Sequence, residues 1–255
     1  MYTVDLNCDM GESFGNYKCG LDEAVIPYIS SANTACGFHA SDPLVMKKTV
    51  GLAKKYDVHI GAHPGYPDLV GFGRRNMQVS QEELKAMVQY QIGALKAFCD
   101  ALHVPLYHVK PHGAMYNMAA AQAGLAEAIC QAIKETDEEL ILLAPAGSEM
   151  FQAAKKLGLR AAGEVFADRA YEEDGSLVSR RKEGAMITDE EEAIERVVRM
   201  VKEGVVTAIT GEEIEVQADS ICVHGDSPQA LAFVKRIRQV LEEEGVRILP
   251  LSEIA

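Results

Sequence analysis

The run Leu106–Tyr116, LYHVKPHGAMY, places two histidines and a lysine at every second position. Side chains of a β-strand point to opposite faces in turn, so His108, Lys110 and His112 share one face while Tyr107, Val109 and Pro111 share the other. A lysine and two imidazoles aimed into a protein interior are unfavourable unless paired. A strand of this kind is expected to line a wet or ligand-filled cavity, with its apolar face against helices. In that cavity Lys110 would clamp a developing oxyanion or, with a depressed pKa, act as a base, with His112 beside it. The alternative is a buried partner for Glu164 or Asp168. If Lys110 and His112 are held inside for function alone, Lys110→Met and His112→Leu are expected to keep or raise the melting temperature.

Other segments repeat the inverted pattern. Thr3–Asp9 (TVDLNCD) alternates Asp5, Asn7 and Asp9 with Val4, Leu6 and Cys8, and Glu12 follows just beyond. Ala161–Arg169 (AAGEVFADR) puts Glu164 and Asp168 on one parity, suited to a general base and its orienting partner; a surface pair between Asp168 and Arg169 is the alternative. His39, His63 and the pair His224 and Asp226 end three further apolar runs, and Arg74 and Arg75 sit in a Gly/Pro-rich loop where they suit a carboxylate or phosphate. His59 and His63 have chelating spacing for a helix, but on a strand four residues span ~13 Å, too far for ligands only about 2.1 Å from one ion. A metal would have to draw Asp9, His39 and His63 from different strands. Hydrogen-bonded histidines orienting an anionic substrate are the other reading.

Positioning these residues on one surface requires alternating strands and helices. Strands are expected at residues 3–9, 29–39, 59–63, 106–112, 140–144, 161–169, 220–226 and 246–251. Asp42 followed by Pro43 opens a helix to about Tyr56, and Ser80 with Glu83 forms a capping box for a helix to about Leu102. A helix from about Met118 to Thr136 follows the Lys110 strand. Ser148 caps a short helix to Leu157, Thr188 with Glu191 reads as a second capping box, and Ser227 with Pro228 opens a long helix to about Glu244. Residues 64–76 form a loop long enough to be functional, residues 171–184 read as a mobile flap, and residues 206–216 as a hairpin. Strand–helix alternation argues for a parallel α/β sheet. A closed barrel is favoured over an open one, because only closure gathers the carboxyl ends of so many strands at one rim.

The 255 residues suit one (β/α)-barrel domain spanning 1–255, and no linker interrupts them. A formal charge of −13, with no basic run longer than Arg180, Arg181 and Lys182, argues against nucleic acid or an anionic membrane as partner. The absence of a leader-like start and of a membrane-length apolar run points to a cytoplasmic protein. Six cysteines without a CxxC pair, mostly in apolar runs, suit buried thiols. No GxxxxGK[ST] occurs, and GFGRRN around Gly71 and Gly73 lacks the third glycine of a dinucleotide loop.

Six motifs along nearly the whole chain resemble the LamB/YcsF family: NCDMGESFG from Asn7, SANTACGFHASD from Ser31, IGAHPGYPDLVGFGRR from Ile60, HVKPHGAMYN from His108, EVFADRAY from Glu164 and CVHGDSP from Cys222. The resemblance implies a seven-stranded barrel like those of glycoside hydrolases and polysaccharide deacetylases, which puts the eighth expected strand outside the ring. It also implies ATP-dependent opening of 5-oxoproline to glutamate by a 5-oxoprolinase complex of A, B and C subunits, with this chain in the place of the first. On that reading Asp9, Lys110, His112, Glu164 and Asp168 carry catalysis, and Asn7, Glu12, His39, His63, Arg74, His224 and Asp226 bind substrate. ATP is a co-substrate of the complex, with part of the activation carried out by the other components. Two alternatives stand beside this reading: a metal-dependent deacetylase of an N-acetylated sugar, which would bind its ion stoichiometrically and act without ATP, and a binding component with no chemistry of its own.

Overall fold

The computed structural model describes residues 2–179, 182–225 and 227–255. Asp226, Arg180 and Arg181 lie outside the described residues. The strands are β1 (Tyr2–Met10), β2 (Ser31–Ala35), β3 (His59–His63), β4 (Leu106–Val109), β5 (Ile141–Pro145), β6 (Ala161–Phe166), β7 (Val205–Thr207), β8 (Glu213–Glu215), β9 (Ser220–Val223) and β10 (Val246–Ile248). The helices are α1 (Asp22–Val25), α2 (Pro43–Tyr56), α3 (Gln81–Leu102), α4 (Gly113–Ala121), α5 (Ala123–Thr136), α6 (Glu149–Leu157), α7 (Glu190–Glu203) and α8 (Pro228–Glu243). Strands β1 to β6 pair in sequence, all parallel; β9 pairs with both β6 and β1, and the sheet closes into a seven-stranded barrel. β10 joins only the first three residues of β1, outside the ring. The eighth parallel strand is therefore an annex at the amino end of β1, and the small antiparallel pair β7–β8 is the expected hairpin.

Core packing follows the alternation. Val4, Leu6 and Cys8 are buried in the main apolar cluster, while Asp5 and Asn7 are buried without belonging to it. The helices that cover the barrel start where capping chemistry allows: Asp42 accepts from the amides of Leu44 and Val45 at α2, and Ser80 and Glu83 close the capping box at α3. Five of the six cysteines are buried, as core thiols should be, and among the described residues no disulfide joins them. No helix among the described residues is long and apolar enough to cross a membrane.

Several expected boundaries move. β2 stops at Ala35, so His39 comes from the following loop and not from a strand. β6 stops at Phe166, leaving Asp168 in the turn beyond. The helix expected from Met118 begins at Gly113 and breaks at Gln122, whose extended φ and ψ (−127° and 106°) separate α4 from α5. At α7 the cap is Asp189, which accepts from the amide of Glu192, in place of Thr188 with Glu191. Pairing of β3 with β4 shifts register between Ile60 and Gly61, opposite Leu106 and His108. Tyr107 is thus skipped by the ladder, and its ring stacks on His59 at 3.9 Å. Beyond Tyr107 the expected alternation holds: His108 and Lys110 face the barrel interior, where the Nε2 of His108 meets the Oδ1 of Asn33 at 2.8 Å.

Candidate active site at the barrel rim

The interior of the barrel is a column of polar side chains rising toward the carboxyl ends of the strands. At its floor Asp5 accepts from the hydroxyls of Ser30, Ser31 and Ser220. Above it the Asn7 amide donates to Ser220, and Asn33 donates to both Asn7 and Asp9. His108 fits beside Asn33 only because residue 61 is glycine, since a Cβ there would collide with the imidazole. Burial and the nearby Lys110 ammonium lower the pKa of His108 to about 3, so this imidazole is a neutral structural group at neutral pH.

Lys110 sits at the centre of the column. Its Nζ lies 2.6 Å from the Glu164 carboxylate, 3.2 Å from Asp9 Oδ1, 3.2 Å from Asn7 Oδ1 and 3.3 Å from Cys222 Sγ. Burial acts to lower its pKa, but Asp9 first, and then Cys222 and Glu164, outweigh it and hold the ammonium charged well above the usual lysine value. The upward shift runs against a depressed, basic Lys110 and leaves the reading of Lys110 as a charged clamp. The second oxygen of Glu164 accepts from the Tyr116 hydroxyl at 2.6 Å. Glu164 is thus enclosed by Lys110 and Tyr116 and is not partnered with Asp168 as the shared parity suggested.

Above Lys110 the chain gathers Asp9 with three histidines. His63 faces Asp9 Oδ2 at 3.3 Å through Nε2, while its Nδ1 donates to the Lys110 carbonyl at 2.7 Å. Burial raises the Asp9 carboxyl, but His63 and Lys110 together outweigh it and keep it well below the usual carboxylate range. Burial likewise acts to lower His63, and the Asp9 charge overcomes it, so the His63 pKa is raised. His112 lies 2.9 Å from His63 and donates through Nε2 to the Phe72 carbonyl at 2.8 Å; burial, then His39 and His63, lower it to about 3. His39, 0 % exposed, stacks flat on His112 at 3.6 Å and contacts Glu12 Oε1 at 3.1 Å. Gly73, with φ of +63°, brings the 64–76 loop so close that a Cβ would stand 2.7 Å from His39 and 2.8 Å from His112. Burial and the Asp9 charge raise the Glu12 carboxyl.

A second cluster stands at the β6 and β9 ends. Asp168 Oδ2 is 3.0 Å from His224 Nδ1, leaving Nε2 as the other ring nitrogen. Burial acts to raise Asp168 and to lower His224, but the bond between them reverses both, so Asp168 is lowered and His224 raised.

Both clusters border one cavity of ≈ 990 Å³. Of the residues selected from sequence, Asp9, Glu12, His63, Arg74, Lys110, His112 and His224 line it. Asn7, His39, Glu164 and Asp168 reach it only through these neighbours. Asp226 lies outside the described residues. Arg74 packs over the Phe72 ring at the rim, whereas Arg75 is tied to Asp68. The 171–184 segment supplies the cavity wall from Asp174 to Ser179, and bridges join Tyr171 to Leu177 and Arg169 to Met186. Sequence reasoning missed Tyr116, Asn33 and Cys222. Asn33 had the right parity, and Tyr116 lies one helical turn after His112, but the Cys222 contact with Lys110 spans the barrel and leaves no local trace.

The chain matches known proteins along nearly its whole length. The LamB/YcsF family model matches residues 4–255. A protein of Clostridium beijerinckii, named as the A subunit of 5-oxoprolinase, is 67 % identical over 254 residues, covering 100 % of both chains. The crystal structure of a lactam utilization protein from Thermus thermophilus superposes with a TM-score of 0.93 at 48 % identity, covering 97 % of this chain and 99 % of that one. The T48 deacetylase, at 13 % identity and a TM-score of 0.52 over 99 % of this chain and 90 % of that one, shares the fold alone. With one family model spanning all but the first three residues, the chain belongs to the LamB/YcsF family.

Proposed function

We propose that this chain is the A subunit of an ATP-dependent 5-oxoprolinase, a barrel that opens the activated lactam ring of 5-oxoproline while the B and C subunits take part in coupling to ATP. The observation that carries the reading is the end-to-end identity of 67 % with a protein named as that component. The cavity supports it chemically. A five-membered lactam is a stable amide, and transfer of the ATP γ-phosphoryl group to its oxygen turns it into a good electrophile. Water then adds to the ring carbonyl carbon and gives its proton to His224, which Asp168 orients through Nδ1. The carbon–nitrogen bond breaks as that proton passes to the departing nitrogen, leaving γ-glutamyl phosphate. A second water releases glutamate and phosphate.

Asp9, kept ionised by His63 and Lys110, is a weak base and a good acceptor for the ring N–H. Arg74 at the rim takes the substrate carboxylate. Glutamate release from 5-oxoproline and ATP, measured for the chain alone and then with the B and C subunits, tests the assignment. Release is expected only from the assembled complex. Full turnover by the chain alone would remove the division of labour, and none from the complex would remove the function.

A further inference from the structure

The hydrogen bonds that fix two of the histidines leave an electrostatic conflict between them. Carbonyl oxygens only accept, so His63 carries its hydrogen on Nδ1, toward the Lys110 carbonyl, and His112 carries its own on Nε2, toward the Phe72 carbonyl. In the neutral rings the remaining nitrogens, His63 Nε2 and His112 Nδ1, present lone pairs to each other at 2.9 Å. Something positive must lie between or beside them. Glu12 Oε1 completes a third corner 3.6 Å from His112 Nδ1, and donor atoms of Glu12, His39, His63 and His112 all fall within 4.8 Å of one another.

We infer that His63 Nε2, His112 Nδ1 and the Glu12 carboxylate bind a late first-row divalent cation, of the zinc class, at the rim of the barrel. Ligands about 2.1 Å from a tetrahedral ion stand roughly 3.4 Å apart, and the separations of 2.9 and 3.6 Å bracket that value. Two imidazoles and one carboxylate suit zinc or its neighbours better than magnesium or calcium. Each ligating imidazole donates its other N–H to a backbone carbonyl, the arrangement that holds metal-binding histidines in one tautomer. All three ligands line the cavity, so the fourth position opens into it.

This assignment differs from the Asp9, His39 and His63 set that strand parity suggests. His39 and His112 are stacked 3.6 Å apart with only 3° between their planes, and parallel rings cannot aim in-plane lone pairs at one ion. His39 is a positioning residue that steadies Glu12 from behind. Asp9, 3.3 Å from His63 Nε2, stands next to the site with Lys110 and Asn33 on its other oxygen. A single proton shared by His63 and His112 is the competing occupant.

The full chain, stripped with a chelator and dialysed into metal-free buffer, is titrated with Zn²⁺ and, separately, Co²⁺. One ion per chain with micromolar or tighter affinity is expected, with visible Co²⁺ bands of a four- or five-coordinate centre. His63→Gln and His112→Gln should each weaken binding at least ~100-fold, while Asp168→Asn, in the separate His224 pair, should leave it unchanged. Failure of the wild-type chain to take up either ion stoichiometrically would overturn the site, as would equal binding by the folded glutamine variants. If those variants do not fold, the wild-type Co²⁺ spectrum decides: octahedral, weakly absorbing cobalt overturns the proposal, and an intense low-coordinate spectrum supports it. None of these readouts depends on lactam chemistry, so the ion and the reaction stand or fall separately.

Discussion

Lys110 shows how far an inverted residue pattern can be read, and where it misleads. Alternation put it inside the barrel, and it is there, 3 % exposed. Alternation carries no information about partners, and those decide its energetics. A lysine held inside for chemistry alone could be replaced by methionine at no loss, but this ammonium neutralises Glu164 and Asp9 together. Removing one member of a buried ion pair strands the other, at a loss of ~3–5 kcal/mol. Lys110→Met is therefore expected to lower the urea midpoint steeply, reversing the expectation from sequence, and Lys110→Met with Glu164→Leu should recover part of the loss. An unchanged midpoint for the single variant would mean that the 2.6 Å pair with Glu164 contributes nothing to folding.

At the scale of elements, what was legible depended on how local the signal is. Helices α2, α3 and α6 start at Asp42, Ser80 and Ser148, as capping chemistry predicts, because a cap is written within four residues. Strand ends are set by pairing with neighbours distant in sequence, so alternation alone extends β2 and β6 too far. His39 and Asp168 stand in loops as a result, while keeping their place at the rim. Helix α7 offers two overlapping capping patterns, and the structure uses the later one. Asp189→Ala should cost about 1 kcal/mol of stability in thermal or urea unfolding, with Thr188→Ala close to neutral. The reverse order would return the cap to Thr188. The helix buries Ile194, Val197 and Met200, so the loss should register globally and not as end fraying alone.

On the scale of the whole molecule, closure of the ring gathers residues from β1, β3, β5, β6 and β9, with Lys110 and His112 just beyond β4, around one cavity, and closure has its own polar fastening. Asp5, on β1, bonds Ser30 and Ser31 at the start of β2 and Ser220 at the start of β9, spanning the seam where the last barrel strand meets the first. Burial, only partly offset by the three hydroxyls, with Ser220 foremost, raises its pKa from 3.8 to about 6. Between those values the folded protein holds a proton that the unfolded chain has lost. Unfolding then releases a proton, so this group's contribution is full below about pH 4, declines as pH rises through the window, and levels off above about 6. A shift of about two units at 1.36 kcal/mol each amounts to ~3 kcal/mol. Asp5→Asn keeps the shape and the acceptor for Ser30 and Ser31 but cannot ionise. Unfolding free energies of wild type and variant, measured by urea from pH 4 to 7.5, should diverge in favour of the variant by up to that amount, since all other titrating groups are shared. Parallel curves would mean that Asp5 ionises in the folded barrel as readily as in the open chain, and that the seam is held by its neutral partners alone.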